Sequence, residues 1–240
     1  MVPTVDVPEQ ILTVTAHPDD VDFGAAGSVA AWTAQGAVVT YCVVTDGDAG
    51  GFDPAVPRAD IPAIRRAEQT AAAAEVGVKD LVFLGYPDGR LQATLELRRD
   101  ISRVIRQVRP QRVVCQSPDR LWDRLFASHP DHLAAGEATI CAVYPDARNP
   151  FAFPELMAEG LEPHVVSEVW VMAAPGVDTY VDVTGTFAAK LAALRAHVSQ
   201  NTDQDGGLEP RLRAWLTNNA AQAGWDDGRL AEAFRRLVTG

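Results

Sequence analysis

The sequence predicts an α/β chain folded as a three-layer sandwich around a mostly parallel central sheet, and three observations carry that expectation. Short apolar, β-branched runs alternate with longer helical patterns, which is how βαβ units read in sequence. The 240 residues, 47% apolar and 22% charged, suffice for one sizeable core and have the balance of an ordinary globular protein. Acids and histidines gather just after the predicted strands, at the end of an open α/β sheet where ligands bind.

The first strand, Ile11–Ala16, is the apolar run of "ILTVTAHPDD", and a helix over Phe23–Gln35 follows. The second strand is Val38–Thr45. A helix over Pro62–Val76 comes next, with Pro62 suited to its first turn and Gly77 to the position just past its end. After a strand at Asp80–Gly85, the helix Leu95–Val108 is marked by Leu97, Ile101, Val104, Ile105 and Val108, one stripe at spacings of three and four that Pro110 stops. The fourth strand is Arg112–Ser117, and a fourth helix runs from near Asp131 to about Val143, ended by Pro145.

"YPDARNPFAFPELMAEGLEPH" is too long and too apolar for a plain linker and reads as an ordered loop or small lobe over one end of the sheet, shaping the pocket. Strands at Glu168–Ala173 and Thr179–Thr184 follow, then a helix containing "KLAALRAHVSQ". The remainder reads as a loop at Asp203–Gly207 and two short amphipathic helices. Residues 1–240 are thus expected to form one domain, with its core at about 11–200 and a C-terminal helical extension at 201–240.

A net charge of −11 argues against nucleic acid as the main partner, since neutralising phosphates takes clustered Lys and Arg. Arg98, Arg99, Arg103, Arg106 and Arg109 read as a solvated helix face. No segment approaches eighteen uninterrupted apolar residues, so no membrane span is expected. The start, "MVPTVDVPEQ", lacks the basic and apolar regions of a signal peptide, which makes the cytoplasm the expected location. Cys42, Cys115 and Cys141 lie in apolar runs without CxxC spacing and read as reduced, buried thiols.

The chemistry-bearing residues fall after four strands. His17-Pro18-Asp19-Asp20 follows the first, Asp46 and Asp48 of "DGDAGG" the second, Asp88 and Arg90 of "YPDGR" the third, and "PDRLWDRLFASHPDH" the fourth. Three of the five histidines lie at this rim, in two copies of His-Pro-Asp. A lone copy is an ordinary turn, and Asp19, Asp20 or Asp131 could each cap a helix. Capping explains one acid per helix, not two histidine-aspartate clusters at the ends of neighbouring strands.

A catalytic zinc takes three ligands from His, Asp, Glu or Cys and leaves one position open. His17, one of the two adjacent aspartates and a histidine of the second cluster complete such a set. The other aspartate is then free to act on water. Gly24-x-x-Gly27 does not make a dinucleotide site, because two carboxylates occupy the turn where a pyrophosphate would sit. His197 shares a helix face with Lys190 and Leu194 and, with no flanking acid, reads as a histidine satisfied by backbone or solvent; an oligomer contact is the other reading.

The pairing of "AHPDD" with "HPDH" resembles the PIG-L/LmbE-like family of zinc-dependent N-deacetylases. "VVTDGDAGG", "IRRAEQTAAAAEVGV", "LVFLGYPDGRL" and "KLAALRAHVSQ" extend the resemblance over about Ile11 to Gln200. It implies a Rossmann-like fold and one Zn2+ per chain, another divalent metal being left open, bound by His17, Asp20 and His132. It also implies Asp19 as the general base on the zinc water, and His129 beside the oxyanion or leaving amine, its imidazole oriented and charged by Asp131. Where the family's first motif often continues with Glu, Val21 stands here and Asp22 follows.

The implied reaction removes an N-acetyl group from an amino sugar or its conjugate, a small-molecule substrate, and a homo-oligomer is left open. Asp46, Arg65, Asp88 and Arg90 are candidates to hydrogen-bond sugar hydroxyls. Two other functions stay open on the residues: an amidase for a larger thiol or sugar conjugate, and a non-catalytic sugar- or nucleotide-binding protein.

Overall fold

In the computed structural model, which describes residues 6–200, 206–226 and 228–240, five parallel strands make up most of a seven-stranded sheet. These are β1 (Gln10–Thr15), β2 (Val38–Thr45), β3 (Asp80–Tyr86), β4 (Arg112–Gln116) and β5 (Glu168–Met172). With β6 (Thr179–Asp182) and β7 (Ala231–Val238) the sheet order is β3-β2-β1-β4-β5-β7-β6, and β7 runs antiparallel to both its neighbours. The helices are α1 (Asp20–Ala34), α2 (Ile61–Glu75), α3 (Leu95–Val108), α4 (Pro130–Cys141), the short α5 (Pro154–Ala158), α6 (Phe187–Ala196) and α7 (Leu208–Gln222).

Alternation along the strands builds the layers. Leu12 and Val14 of β1, with Val113 and Cys115 of β4, face α3 and α4 and pack on Leu97, Ile101, Ile105 and Ala138. Ile11, Tyr41, Val114 and Trp170 point the other way, onto Val21, Ala25 and Trp32 of α1, Ala72 and Ala73 of α2, and Ala193 of α6. Each fully buried Leu, Ile or Val contributes about 1.5–3 kcal/mol. The result is the expected Rossmann-like three-layer arrangement. Strand order reverses between β1 and β4, so the segments leaving those two strands diverge and open a crevice at their carboxyl ends. Gly136 on α4 brings that helix close: a Cβ there would stand 2.4 Å from the Gln116 carbonyl oxygen at the end of β4.

Three expectations are corrected. The C-terminal stretch is not purely helical: "AEAFRRLV" is strand β7, inserted between β5 and β6. The tail therefore adds one helix and one strand, and residues 203–205 of the expected loop lie outside the described residues. The long loop after α4 is anchored on α3: buried Arg106 donates to the carbonyls of Asp146, Ala147, Asn149, Ala152 and Leu161, while Arg98 pairs with Asp146 and Arg103 with Glu159. These arginines gather a loop rather than face solvent alone. Of the three thiols, Cys42 and Cys115 are buried and Cys141 is half-buried; burial pushes Cys42 and Cys115 up to about 12.

Two sets of ion pairs tie the C-terminal strand in, the first of them fully buried. Glu232 of β7 accepts from the backbone N–H groups of Gly27 and Ser28 and pairs with Lys190 at 2.6 Å, and Lys190 also donates to the Asp22 and Phe23 carbonyls. Removing one partner of such a pair typically costs about 3–5 kcal/mol. At the opposite end of the sheet, Glu168 of β5 accepts from Arg112 at 2.7 Å and Arg236 at 2.5 Å, and Arg112 lies over the Trp170 ring.

Burial alone would push the Glu168 carboxyl up, but the charge of Arg112 and the bonds from Arg112 and Arg236 outweigh it and hold the group below its usual range. A depressed carboxyl contributes stability above its unfolded value, and that stability is lost as pH falls through the folded one. Glu168→Gln is therefore expected to be less stable than the native chain at neutral pH and to converge with it below about 4.5 in urea unfolding. An undiminished difference at acid pH contradicts the assignment.

Candidate active site

The carboxyl ends of β1 and β4 deliver the two histidine clusters to one place. The exit of β1 is pinned where the Ala16 N–H donates to Gln116 Oε1 of β4 at 2.8 Å. Asp20 Oδ2 accepts from the His17 N–H at 2.7 Å, closing a tight turn into α1. On the other side His129 sits at the N-cap of α4 in an extended conformation, followed by Pro130, and its Nδ1 accepts from the Asp131 N–H at 3.1 Å. The capping reading of Asp19 is set aside: it occupies the N-cap position of α1, but its side chain caps nothing.

Three residues, His17, Asp20 and His132, form a triangle of donor groups in which each oxygen of the Asp20 carboxylate faces one imidazole. His17 Nδ1 lies 3.3 Å from Asp20 Oδ2, His132 Nε2 lies 3.0 Å from Asp20 Oδ1, and the two ring nitrogens are 3.3 Å apart. Ligands about 2.0–2.1 Å from a tetrahedral ion are separated by about 3.3 Å, so these atoms match the size of a zinc site. Two other groupings, His17/His129/His132 and His17/Asp88/Asp131, also bring their donor atoms within 4.8 Å. In the second of these Asp131 accepts from the N–H groups of Gly89 and Leu91 and Asp88 from that of Ala49; in the first His129 Nδ1 accepts from the N–H of Asp131, which leaves Nε2 as its available atom.

His17 uses both ring nitrogens. Its Nε2 faces Asp88 Oδ1 at 3.0 Å and Asp131 Oδ2 at 3.3 Å, an arrangement that fixes the ring and leaves Nδ1 toward the triangle. Burial alone would lower its pKa, but the charge of Asp20 and the bonds to Asp131, Asp20 and Asp88 carry it up to about 12. Asp20 is pushed up by burial and yet held well below the usual carboxylate range by His132 and His17. The pocket is short of positive charge, and protons on its imidazoles supply what a cation would.

Asp131 meets the His129 ring through its backbone N–H and not through its carboxylate as expected: the carboxylate spans His17 and the loop after β3. Burial, with the neighbouring His17 and His132, lowers the pKa of His129, so its imidazole stands neutral rather than charged. Because Nδ1 accepts a backbone N–H, the proton of that neutral ring is on Nε2.

Asp19 stands apart from the triangle. Its φ of 93° lies in the left-handed region, which costs a non-glycine residue about 1–3 kcal/mol and persists only where surroundings impose it. Here Gln69 Oε1 accepts from the Asp19 N–H at 2.8 Å, and buried Arg65 donates to Asp19 Oδ2 at 3.1 Å and to the Pro18 carbonyl. Burial and the charge of Asp20 push the Asp19 carboxyl up to about 7 against the pull of Arg65.

The four expected sugar contacts are dispersed. Arg65 is buried and committed to Asp19, Asp88 to His17, and half-buried Asp46 pairs with Arg66. Arg90 alone is exposed at the rim. Gln69 escaped the sequence reading. Its signal was available: Arg65 and Gln69, four apart, share the stripe of α2 that buries Ala72 and Ala73, so a polar pair sits on an apolar face.

The chain matches the family model described as PIG-L, GlcNAc-PI de-N-acetylase, over residues 12–143. It is similar to a diacetylchitobiose deacetylase of Thermococcus kodakarensis, at 35% identity over 85% of this chain and 75% of that protein. A probable N-acetyl-alpha-D-glucosaminyl L-malate deacetylase 2 of Bacillus anthracis is 34% identical over 79% of this chain and 80% of its own length. Among solved structures, N,N'-diacetylchitobiose deacetylase from Pyrococcus horikoshii aligns with a TM-score of 0.88 at 29% identity, covering 96% of this chain and 84% of that one.

The contacts of His17 Nε2 give a test. Asp88→Asn removes no atom of the triangle but weakens the acceptor that orients His17, so zinc affinity measured against a competing chelator is expected to fall about 10–100-fold. Unchanged affinity contradicts that role.

Proposed function

The chain belongs to the PIG-L family, and from that membership and the site geometry we propose that it is a zinc-dependent hydrolase removing N-acetyl groups from amino-sugar conjugates. The observation that carries the reading is the triangle of His17 Nδ1, Asp20 and His132 Nε2 with a separate carboxylate, Asp19, beside it. His17, Asp20 and His132 would hold the ion. A bound divalent cation supplies Lewis acidity, polarising an acyl carbonyl and making water more acidic.

The chain's own groups do the rest. Arg65 occupies Asp19 Oδ2, and Oδ1, with no hydrogen-bond partner among the described residues, is free to take the proton of the attacking water. As oxygen adds to the acyl carbon, negative charge develops on the former carbonyl oxygen. The Nε2–H of His129, whose ring centroid lies 5.0 Å from that of His17, would donate to it. Collapse breaks the C–N bond, the proton held on Asp19 passes to the departing nitrogen, and acetic acid and the amine result, the acid's proton then passing to the amine to give acetate and an ammonium.

The substrate class follows the names of the relatives, a diacetylchitobiose deacetylase and a probable N-acetyl-alpha-D-glucosaminyl L-malate deacetylase. Exposed Arg90, on the loop whose amides hold Asp131, is left as the rim group to meet sugar hydroxyls.

Amine release from N,N'-diacetylchitobiose, followed alongside metal content, tests the roles. Asp19→Asn is expected to keep one zinc per chain while kcat falls about 10²–10⁴-fold. His132→Ala is expected to lose the metal. Turnover near the native rate in Asp19→Asn refutes the base assignment.

A further inference from the structure

Behind Asp19 runs a buried chain of hydrogen bonds that the reaction as derived does not use. His197, just past the end of α6, places Nε2 2.8 Å from Asp22 Oδ2. Gln69 Nε2 donates to the same oxygen at 2.8 Å, and Gln69 Oε1 accepts from the Asp19 N–H at 2.8 Å. All three side chains are buried, His197 2% exposed and the other two 0%. Donor logic fixes the direction of the chain. A carboxylate only accepts and the Asp19 amide only donates, so Gln69 can satisfy both in one orientation alone.

The segment carrying His197 is itself tethered. The Ser199 N–H and hydroxyl donate to the two oxygens of Glu68, the neighbour of Gln69 on α2, at 2.6 and 2.7 Å. Asp22 sits on the first turn of α1, so the chain reaches the left-handed Asp19 from α1, α2 and α6 together.

We propose that His197 and Gln69 are positioning residues for deacetylation: Gln69, bonded directly to the Asp19 N–H, and His197, acting on Gln69 through Asp22, hold the Asp19 peptide in its left-handed conformation and so set where its carboxylate stands. The proposal rests on Asp19 being the base. It explains why a histidine without an acidic neighbour in sequence is buried: its acid is Asp22, far away along the chain. Neither side chain is hydrogen-bonded to His17, Asp20 or His132, so the arrangement acts on the base and not on metal retention. A purely structural role would be limited to joining α6 to α1 and α2. It would change how much enzyme is folded, not the rate per folded enzyme.

The two roles separate when kcat is expressed per folded, zinc-loaded enzyme, with N,N'-diacetylchitobiose as the probe and Asp19→Asn measured alongside. His197→Asn shortens the side chain out of reach of Asp22. Gln69→Met keeps the volume while removing both amide bonds. Each is expected to lower kcat about ten- to a hundredfold, the scale of a misplacement near 1 Å, with KM within about twofold and one zinc retained. His197→Gln, whose amide N–H can still reach Asp22, is expected to recover much of the loss. Native kcat in both His197→Asn and Gln69→Met, or loss of zinc from either, overturns the proposal; if His197→Asn does not fold, Gln69→Met decides. Native-like turnover in Asp19→Asn instead removes the base reading itself and is distinguished by that variant alone.

Discussion

Bringing Asp19, Asp20, Asp88 and Asp131 around His17 in a largely buried crevice is costly unless positive charge comes with them. Arg65 answers Asp19, backbone amides together with His17 Nε2 answer Asp88 and Asp131, and the imidazoles of His17 and His132 answer Asp20. Only at the triangle is the compensation left to groups that can give up their protons. A divalent ion held there would replace two such protons in charge, with His17 still clamped from behind by two carboxylates. The constraint also assigns the adjacent aspartates different work: Asp20 faces the imidazoles, and Asp19, turned away by its left-handed backbone, faces Arg65.

That division needs a frame that holds the first turn of α1 still, and much of the frame comes from the far end of the chain. Lys190 and Glu232 clasp the carbonyls of Asp22 and Phe23 and the amides of Gly27 and Ser28. Gly27 allows this approach: a Cβ there would stand 2.8 Å from the Val183 side chain on the strand side. The last strand and α6 thus reach the helix that carries the site without entering the site.

The five parallel strands and the four longer helices between them were legible because their apolar residues repeat at two or at three to four positions, as in Leu97, Ile101, Val104 and Ile105, whereas the short α5 lay hidden in the stretch read as a loop. Strand β7 was not. "AEAFRRLV" mixes acids, arginines and small residues in a pattern that suits a helix, and its identity as a strand comes from pairing with β5 and β6 and from a lysine on another helix. At the site, the two His-Pro-Asp clusters marked the place, because few other reasons put such residues after neighbouring strands. The partners were hidden. Nothing local says that Asp131 serves His17 rather than His129, that Arg65 turns inward, or that His197 meets Asp22, since each contact joins residues more than forty positions apart.

Anomalous scattering at the zinc edge from crystals grown with zinc tests the central claim most directly. The account predicts a single peak enclosed by His17 Nδ1, the Asp20 carboxylate and His132 Nε2. No peak, or one lying instead between His17 Nε2, Asp88 and Asp131, contradicts it.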